Sequence, residues 1–117
     1  MNRVALPWPH KDLSANARIH WTRHHRAKSR ARSDAFILCR EAKVPYGHGA
    51  VLRFTYHPPD RRRRDAQNLP GMLKAAIDGI ADAIGCDDSA FTCIFPGGFG
   101  EVRKGGEIVV EIEVDTG

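Results

Sequence analysis

Apolar and polar positions alternate in several short segments of the chain, and this alternation predicts β-strands. The segment AVLRFTYH, residues 50 to 57, alternates clearly and is rich in β-forming residues. Shorter segments near 2 to 7, 90 to 95 and 107 to 114 also predict strands. The last two are separated by a glycine-rich stretch, in which KGG is the turn signal, so we expect a turn to join them.

Two other segments show the helical period. Residues 22 to 43 contain no proline or glycine and place apolar residues at three- and four-residue intervals, with Thr22 as the predicted N-cap. A second helix is predicted over residues 70 to 84, with Asn68 as its N-cap and Gly85 as a left-handed C-cap. Its apolar stripe consists of Leu69, Met72, Leu73, Ala76, Ile77, Ile80 and Ile84.

The order β, α, β, α, β, β predicts one α/β or α+β domain over residues 1 to 117, with two helices packed on a mixed sheet. No apolar run approaches the roughly 18 residues of a membrane helix, and the N-terminus lacks the pattern of a signal peptide. We therefore expect a cytoplasmic protein with no membrane partner. The three cysteines form no CxxC pair, which predicts reduced, mostly buried thiols and no structural zinc site.

Charge is distributed unevenly along the chain, although its net value is only +4. Residues 1 to 64 carry fifteen Lys and Arg against four Asp and Glu, a net charge of +11, whereas residues 65 to 117 carry three against ten, a net charge of −7. A basic half predicts a polyanionic partner, and a neighbouring acidic half predicts bound cations.

The candidate phosphate-binding residues are arginines that lie before and after the strand predicted over residues 50 to 57. We expect them to be Arg18, Arg23, Arg26, Arg30, Arg61, Arg62, Arg63 and Arg64. The alternative for the run RRRRD is a solvated loop. For Trp21, stacking on a base is the alternative to an anchoring role in the core or a loop.

The acids of the second half are candidates for a metal site. Asp65 follows a strand and a loop, while Asp87 and Asp88 follow the second helix, which is about 22 Å long. Convergence therefore requires either that the loops fold back or that the strand ends converge. Carboxylate oxygens suit Mg²⁺, which could support phosphodiester hydrolysis. The alternative is that Asp87 and Asp88 are ordinary turn residues.

Lys74 and Asp78 lie four residues apart on the helix face opposite the apolar stripe. This spacing predicts a surface ion pair. A second interpretation places the Lys74 ammonium at the scissile phosphate, where a fixed positive charge would stabilise the transition state.

Five segments, taken in order, resemble the RusA family of small homodimeric endonucleases that resolve Holliday junctions in DNA recombination and repair and are often carried by phages. These are LPWP near the start, PPDRRRRD at 58 to 65, LKAAIDGI at 73 to 80, DDS at 87 to 89 and KGGEIVVEI at 104 to 112, which resembles the family's final hairpin. The resemblance implies a homodimer that binds four-way DNA junctions, in a bacterial or phage setting, with Mg²⁺ as the cofactor and Mn²⁺ as a possible substitute.

The resemblance also implies roles for individual residues. Asp65, Lys74 and Asp88 match the catalytic positions. Asp65, Asp87 and Asp88 match the metal-binding acids, and Asn68 and Asp78 match supporting positions. Gln67 stands where the family has its second aspartate, so it offers a metal one neutral carbonyl oxygen and no charge.

Two functions follow from this departure. The first is a working or attenuated Mg²⁺-dependent endonuclease in which Gln67 fills a ligand position or orients a water. The second is a branched-DNA-binding protein that has lost cleavage because Gln67 weakens the site. An RNA-binding module is disfavoured, because the sequence has no RNP-like aromatic motif.

Overall fold

The computed structural model describes residues 1–14 and 18–117 of the chain. Its strands are β1 (Asn2–Pro7), β2 (Gly49–His57), β3 (Phe91–Ile94) and β4 (Glu107–Asp115), and its helices are α1 (Trp21–Glu41), α2 (Leu69–Met72) and α3 (Lys74–Ile84). One-turn 3-10 helices are formed by Lys11–Leu13, Ala66–Asn68 and Asp88–Ala90. The expected mixed sheet in an α+β domain is confirmed.

The four strands form one sheet in the order β1-β4-β2-β3. The strand β4 runs antiparallel to both of its neighbours, whereas β2 and β3 are parallel. The strands β3 and β4 are therefore not paired, so the final hairpin implied by the resemblance is wrong. Lys104 and Gly105 do form a turn, closed by the bond from the Gly106 N–H to the Arg103 carbonyl at 2.8 Å, but the chain then crosses β2 to reach β4.

The N-cap of the first helix lies two residues earlier than expected. It is His20, whose Nδ1 accepts the N–H of Thr22 at 3.2 Å, so the prediction of Thr22 as the N-cap is wrong. An imidazole nitrogen satisfies the same orphan N–H as a hydroxyl would. The sequence also predicts a cap at Asn16, a residue that lies outside the described part of the chain.

The second predicted helix is divided at Leu73 into α2 and α3. The Leu73 N–H is shared between the carbonyls of Leu69 and Pro70, which tightens the chain at that point. Asn68 is the residue before α2, but its side chain makes no capping hydrogen bond, so that prediction holds for position alone. Gly85 ends α3 in the left-handed conformation with φ 82°, as predicted.

All three helices share a core with one face of the sheet. Inward residues of β1, β2 and β4, among them Leu6, Leu52, Tyr56, Ile108 and Ile112, pack with Ala35 and Cys39 of α1 and Ile77, Ile80 and Ile84 of α3. The opposite face places Arg3, Glu111 and Arg53 in one row across β1, β4 and β2. This alternation is typical of a sheet that buries only one side.

The three cysteines are free thiols, as expected, with Cys39 buried and Cys86 and Cys93 half-buried. Among the described residues, no helix combines the length and apolarity that crossing a membrane would require.

Candidate functional site

Arg61–Arg64, which we call the arginine segment, follows β2 after three intervening residues. Pro58 and Pro59 end the strand and lead the chain outwards. The side chains of Arg61, Arg62 and Arg63 are exposed, and within the described part of the chain none of the three guanidinium groups has a hydrogen-bond or ion-pair partner. Three unpaired cations are therefore available to a polyanion.

Arg64 differs from the three arginines before it. Its guanidinium forms an ion pair with Asp60 at 2.8 Å, donates to the carbonyls of Asp60 and Arg62 at 3.1 and 3.0 Å, and lies 5.6 Å from the centre of the Trp8 ring. The Arg62 N–H and the Arg64 guanidinium hold the pKa of the Asp60 carboxyl below its ordinary value. Arg64 thus fixes the shape of the segment, and the prediction that it binds phosphate stays untested.

The basic residues of α1 also divide into paired and unpaired groups. Arg23 donates two hydrogen bonds, at 3.1 and 3.2 Å, to the carboxylate of the buried Asp12. Arg32 forms a two-bond contact of 2.6 and 2.8 Å with Asp82 of α3, which lowers the pKa of that carboxyl. Arg26 and Arg30 are exposed and have no such partner in the described residues, and the same holds for Arg18 before the helix.

Trp21 is largely exposed, at 71%, so the prediction that it anchors the core is wrong. Its ring contacts only the rings of His20 and His25 among the aromatic groups of the described chain, at 5.9 and 6.4 Å between centroids. His24 instead points back to the loop, with Nδ1 2.7 Å from the carbonyl oxygen of Asp12. Stacking of Trp21 on a base stays a prediction.

Lys74, Asp78 and Asp88 form a compact cluster, which we call the Lys74 centre. The Lys74 ammonium donates to Asp78 Oδ1 at 2.7 Å and to Asp88 Oδ2 at 2.5 Å. The two carboxylate oxygens are therefore at most about 5.2 Å apart. Because Asp88 lies fourteen residues after Lys74, the turn beyond Gly85 must fold back along α3 to make this contact.

Electrostatics favour a charged ammonium at this position. The hydrogen bond that Lys74 donates to Asp78, and then the one it donates to Asp88, raises the pKa of Lys74 above its ordinary value. The stabilising effect of the cluster is complete below the unfolded-state pKa of lysine and is lost as the pH rises through the folded-state pKa. The ammonium is therefore charged throughout the neutral range.

The two other predicted acids have local partners. Asp65 Oδ1 accepts the N–H of Gln67 at 3.0 Å and so caps the 3-10 helix that follows. Asp87 Oδ2 accepts both the N–H and the hydroxyl of Ser89, which lowers the pKa of the Asp87 carboxyl. Neither acid is hydrogen-bonded to Lys74 in the described part of the chain, although hydrogen bonds with the neighbouring Asp88 also contribute to the lowered pKa of Asp87.

The residues present do not fit the predicted three-acid Mg²⁺ site in this conformation. Among residues 1–14 and 18–117, no group of three His, Cys, Asp or Glu side chains is placed to hold a metal. Asp78 and Asp88 approach the same point, but the Lys74 ammonium already bonds both. The side chains of Gln67 and Asn68 are exposed beside Asp65, and neither makes a hydrogen bond within the described chain.

Two structural contacts were missed by sequence reasoning. The contact between Trp8 and Arg64 joins residues 56 positions apart, and no local pattern signals it. The bond between Ser89 and Asp87 had a local signal, because Asp followed two residues later by Ser is typical of a side-chain-capped turn.

The fold and site together define a small α+β domain with a basic surface beside a lysine–aspartate cluster. A protein of Xylella fastidiosa (strain Temecula1 / ATCC 700964), described as an uncharacterized protein, is 40% identical to this chain over 117 residues, which cover 96% of the chain and 76% of that protein. The chain belongs to the same family as that bacterial protein. No family model matches the chain.

Proposed function

We propose that the protein is a structure-selective endodeoxyribonuclease that binds four-way or otherwise branched DNA and hydrolyses a phosphodiester bond at the Lys74 centre. The observation that carries the proposal is the convergence of Lys74 with Asp78 and Asp88 across fourteen residues of chain. The resemblance of the sequence to the RusA family supports the same function.

The arginine segment and the basic face of α1 supply the proposed DNA contacts. Arg61, Arg62 and Arg63 follow the strand that leads to Asp65, and their guanidinium groups are unpaired within the described chain. Contacts to phosphate oxygens position a duplex without reading its sequence, so the selectivity in this proposal is for DNA shape.

Lys74 is the proposed electrostatic catalyst. Its ammonium is exposed enough, at 58% of the side chain, to exchange one carboxylate partner for a phosphate oxygen. A fixed cation at that oxygen stabilises the charge that develops when water bonds to phosphorus and the bond to the 3′ oxygen breaks. The leaving oxygen takes a proton, which gives 5′-phosphate and 3′-hydroxyl ends.

The cofactor, assembly and location are also proposals. Mg²⁺, with Mn²⁺ as a substitute, is the cofactor implied by the resemblance, and Asp65, Asp87 and Asp88 are the acids that would have to rearrange to bind it. A homodimer would present one centre to each of two opposed DNA strands. The proposed location is the bacterial cytoplasm, for a protein encoded by a bacterium or by a phage.

A second candidate is a branched-DNA-binding protein without cleavage activity. It is favoured by the separate local partners of Asp65 and Asp87 and by the neutral Gln67. Both candidates require salt-sensitive binding to branched DNA. Only the first requires nicking that depends on a divalent cation.

One gel separates the two candidates. A labelled four-way junction is incubated with Mg²⁺ or Mn²⁺ and with the native chain, Asp88→Asn, Gln67→Asp, or the control Glu113→Gln, which removes an exposed acid from β4. Symmetric cuts by the native chain and the control that are absent with Asp88→Asn establish the nuclease. Cuts by Gln67→Asp alone, with binding retained by the native chain, establish the binding protein instead.

A further inference from the structure

A cleft of about 460 Å³ opens between the end of β1, the outer face of α1 and the junction of α2 with α3. Its floor is formed by small and aliphatic side chains, which include Leu6, Ala27, Ala31, Ala35, Leu73 and Ala76. This volume lies within the range of about 300 to 1,000 Å³ that is common for small-molecule sites. The cleft shares no residue with the Lys74 centre.

Polar side chains with no partner line one side of this cleft. Arg26, Arg30 and Asp34 follow one another at four-residue intervals along α1, so they lie in one row. None of the three has a hydrogen-bond or ion-pair partner in the part of the chain that the structure describes, although Asp34 is half-buried. The row offers two cations to an anionic group and one acceptor to a hydrogen-bond donor.

Trp8 provides an aromatic wall and connects the cleft to the arginine segment. Its ring is half-buried in the cleft lining, and the Arg64 guanidinium lies 5.6 Å from the ring centre. Aromatic side chains beside a basic surface are the platforms on which unpaired bases stack. The cleft thus combines an aromatic wall, an apolar floor and three charged side chains, those of Arg26, Arg30 and Asp34, that have no partner within the described chain.

We propose that this cleft binds an unpaired nucleotide, with its base against Trp8 and the apolar floor, its phosphate at Arg26 and Arg30, and an exocyclic amino group at Asp34. The inference rests on the proposed function, because the unpaired nucleotide would come from the branched DNA. A branch point supplies bases outside the double helix. A carboxylate accepts from the amino groups of adenine, cytosine and guanine, but thymine has none. An unpaired thymine offers Asp34 only its N3–H, so the proposed position of the amino group predicts that the cleft selects amino-bearing bases over thymine.

The test uses Trp8 fluorescence in a Trp21→Phe chain, because the protein has two tryptophans and this change leaves Trp8 alone. The probes are a duplex with one unpaired adenosine, the same duplex with an abasic residue or an unpaired thymidine at that position, a fully paired duplex, and free dAMP and dTMP. We expect Trp8 quenching with the unpaired adenosine, and affinity about tenfold above that for the abasic duplex, within the usual range of base stacking.

Two variants and a control assign the effect to the cleft. Ala31→Leu fills the floor, and Asp34→Ala removes the acceptor, whereas Ser33→Leu adds the same bulk at an exposed position of α1 outside the cleft. Ala31→Leu should abolish both the quenching and the tenfold preference. Asp34→Ala should remove only the preference for adenosine over thymidine, and Ser33→Leu should behave as the unmodified chain.

The outcomes separate this inference from the proposed function. Equal binding of all duplexes without Trp8 quenching overturns the cleft inference and leaves DNA binding intact. If dAMP quenches Trp8 fluorescence but no duplex binds, the cleft binds free nucleotides. That result contradicts the DNA-binding proposal. Dimerisation that Ala31→Leu abolishes and that prevents quenching of Trp8 would show that a second copy of the chain occupies the cleft. This result also overturns the inference.

Discussion

The two long helices pack against each other and differ in what they contribute. In α3, eight of eleven residues are buried, whereas α1 buries two of twenty-one, Ala35 and Cys39. Both lie over the same face of the sheet, but α3 fills the core with branched aliphatic side chains. The helix α1 instead contacts α3 through small residues and directs its arginines outwards.

This difference predicts that different helices of one small domain contribute to folding and to the proposed DNA binding. The apolar stripe of α3 supplies burial, so its substitutions should change the free energy of unfolding. The exposed row of α1 supplies charge, so its substitutions should change binding and leave stability nearly unaltered. The Lys74 centre is an exception, since it lies on the polar side of the stabilising helix.

The largest expected effect is that of Gly79→Ala, at the contact between the helices. An added Cβ would lie 2.1 Å from the carbonyl oxygen of Arg32 and 3.0 Å from the Ala35 Cβ, so α1 would have to move away. We expect a loss of more than about 3 kcal/mol in the free energy of unfolding. Denaturant titration measures it.

Gly71→Ala is the matched control for that substitution, because nothing lies within 4 Å of its added Cβ. It should be neutral or should stabilise by up to about 1 kcal/mol through helix propensity. Equal losses at Gly79 and Gly71 would contradict the close packing of α1 on α3.

The next effect is that of Ile80→Ala in α3 against Ile37→Ala in α1. Ile80 is fully buried, and its truncation should cost about 2 to 5 kcal/mol in stability. Ile37 is 48% exposed, and its truncation should change stability by less than about 0.5 kcal/mol. Thermal unfolding followed by circular dichroism tests both, and a reversed order would break the comparison.

A smaller effect, on binding alone, is expected from Arg62→Ala combined with Arg63→Ala. If both arginines contact phosphate, the slope of log Kobs against log salt should fall in magnitude by about 1.8. The control is Arg3→Ala combined with Arg53→Ala, which removes the same charge from the open face of the sheet. An equal change in the control would assign the effect to net charge instead of the arginine segment.

The smallest effect concerns Cys39, the buried thiol of α1. Burial raises the pKa of Cys39 to about 11, so at pH 8 about one thiol in a thousand is ionised. Because the thiolate is the reactive form, iodoacetamide should modify Cys86 and Cys93 in the folded protein and should spare Cys39. Mass spectrometry of the native and denatured chains checks this, and rapid labelling of native Cys39 would show that α1 is not packed as described.

Periodicity predicted the elements well because both helices and β2 have a one-sided apolar pattern. All seven apolar residues predicted for the second helix lie in or against the core. Strand order was not predictable in the same way. The KGG sequence favours a turn both when the turn joins neighbouring strands and when the chain then passes over another strand. Pairing of β4 between β1 and β2 depends on contacts distant in sequence.

The candidate site was predictable where charge spacing is local. The ion pair of Lys74 with Asp78 follows from their four-residue interval, and the structure confirms it. The contact with Asp88 depends on how the turn after Gly85 folds back, which spacing permitted but did not require. The exposure of Trp21 could not be read from residue type, because an aromatic ring suits both a core and a binding surface.

The salt dependence of binding tests the account most directly. The unpaired arginines of the described chain in the two basic regions are Arg18, Arg26, Arg30, Arg61, Arg62 and Arg63. If these six contact phosphates, the affinity for an immobile four-way junction should fall with a log–log slope of about −5 per chain between about 50 and 200 mM salt. A slope near zero, or no binding at the lowest salt, would contradict a protein whose exposed arginines hold DNA.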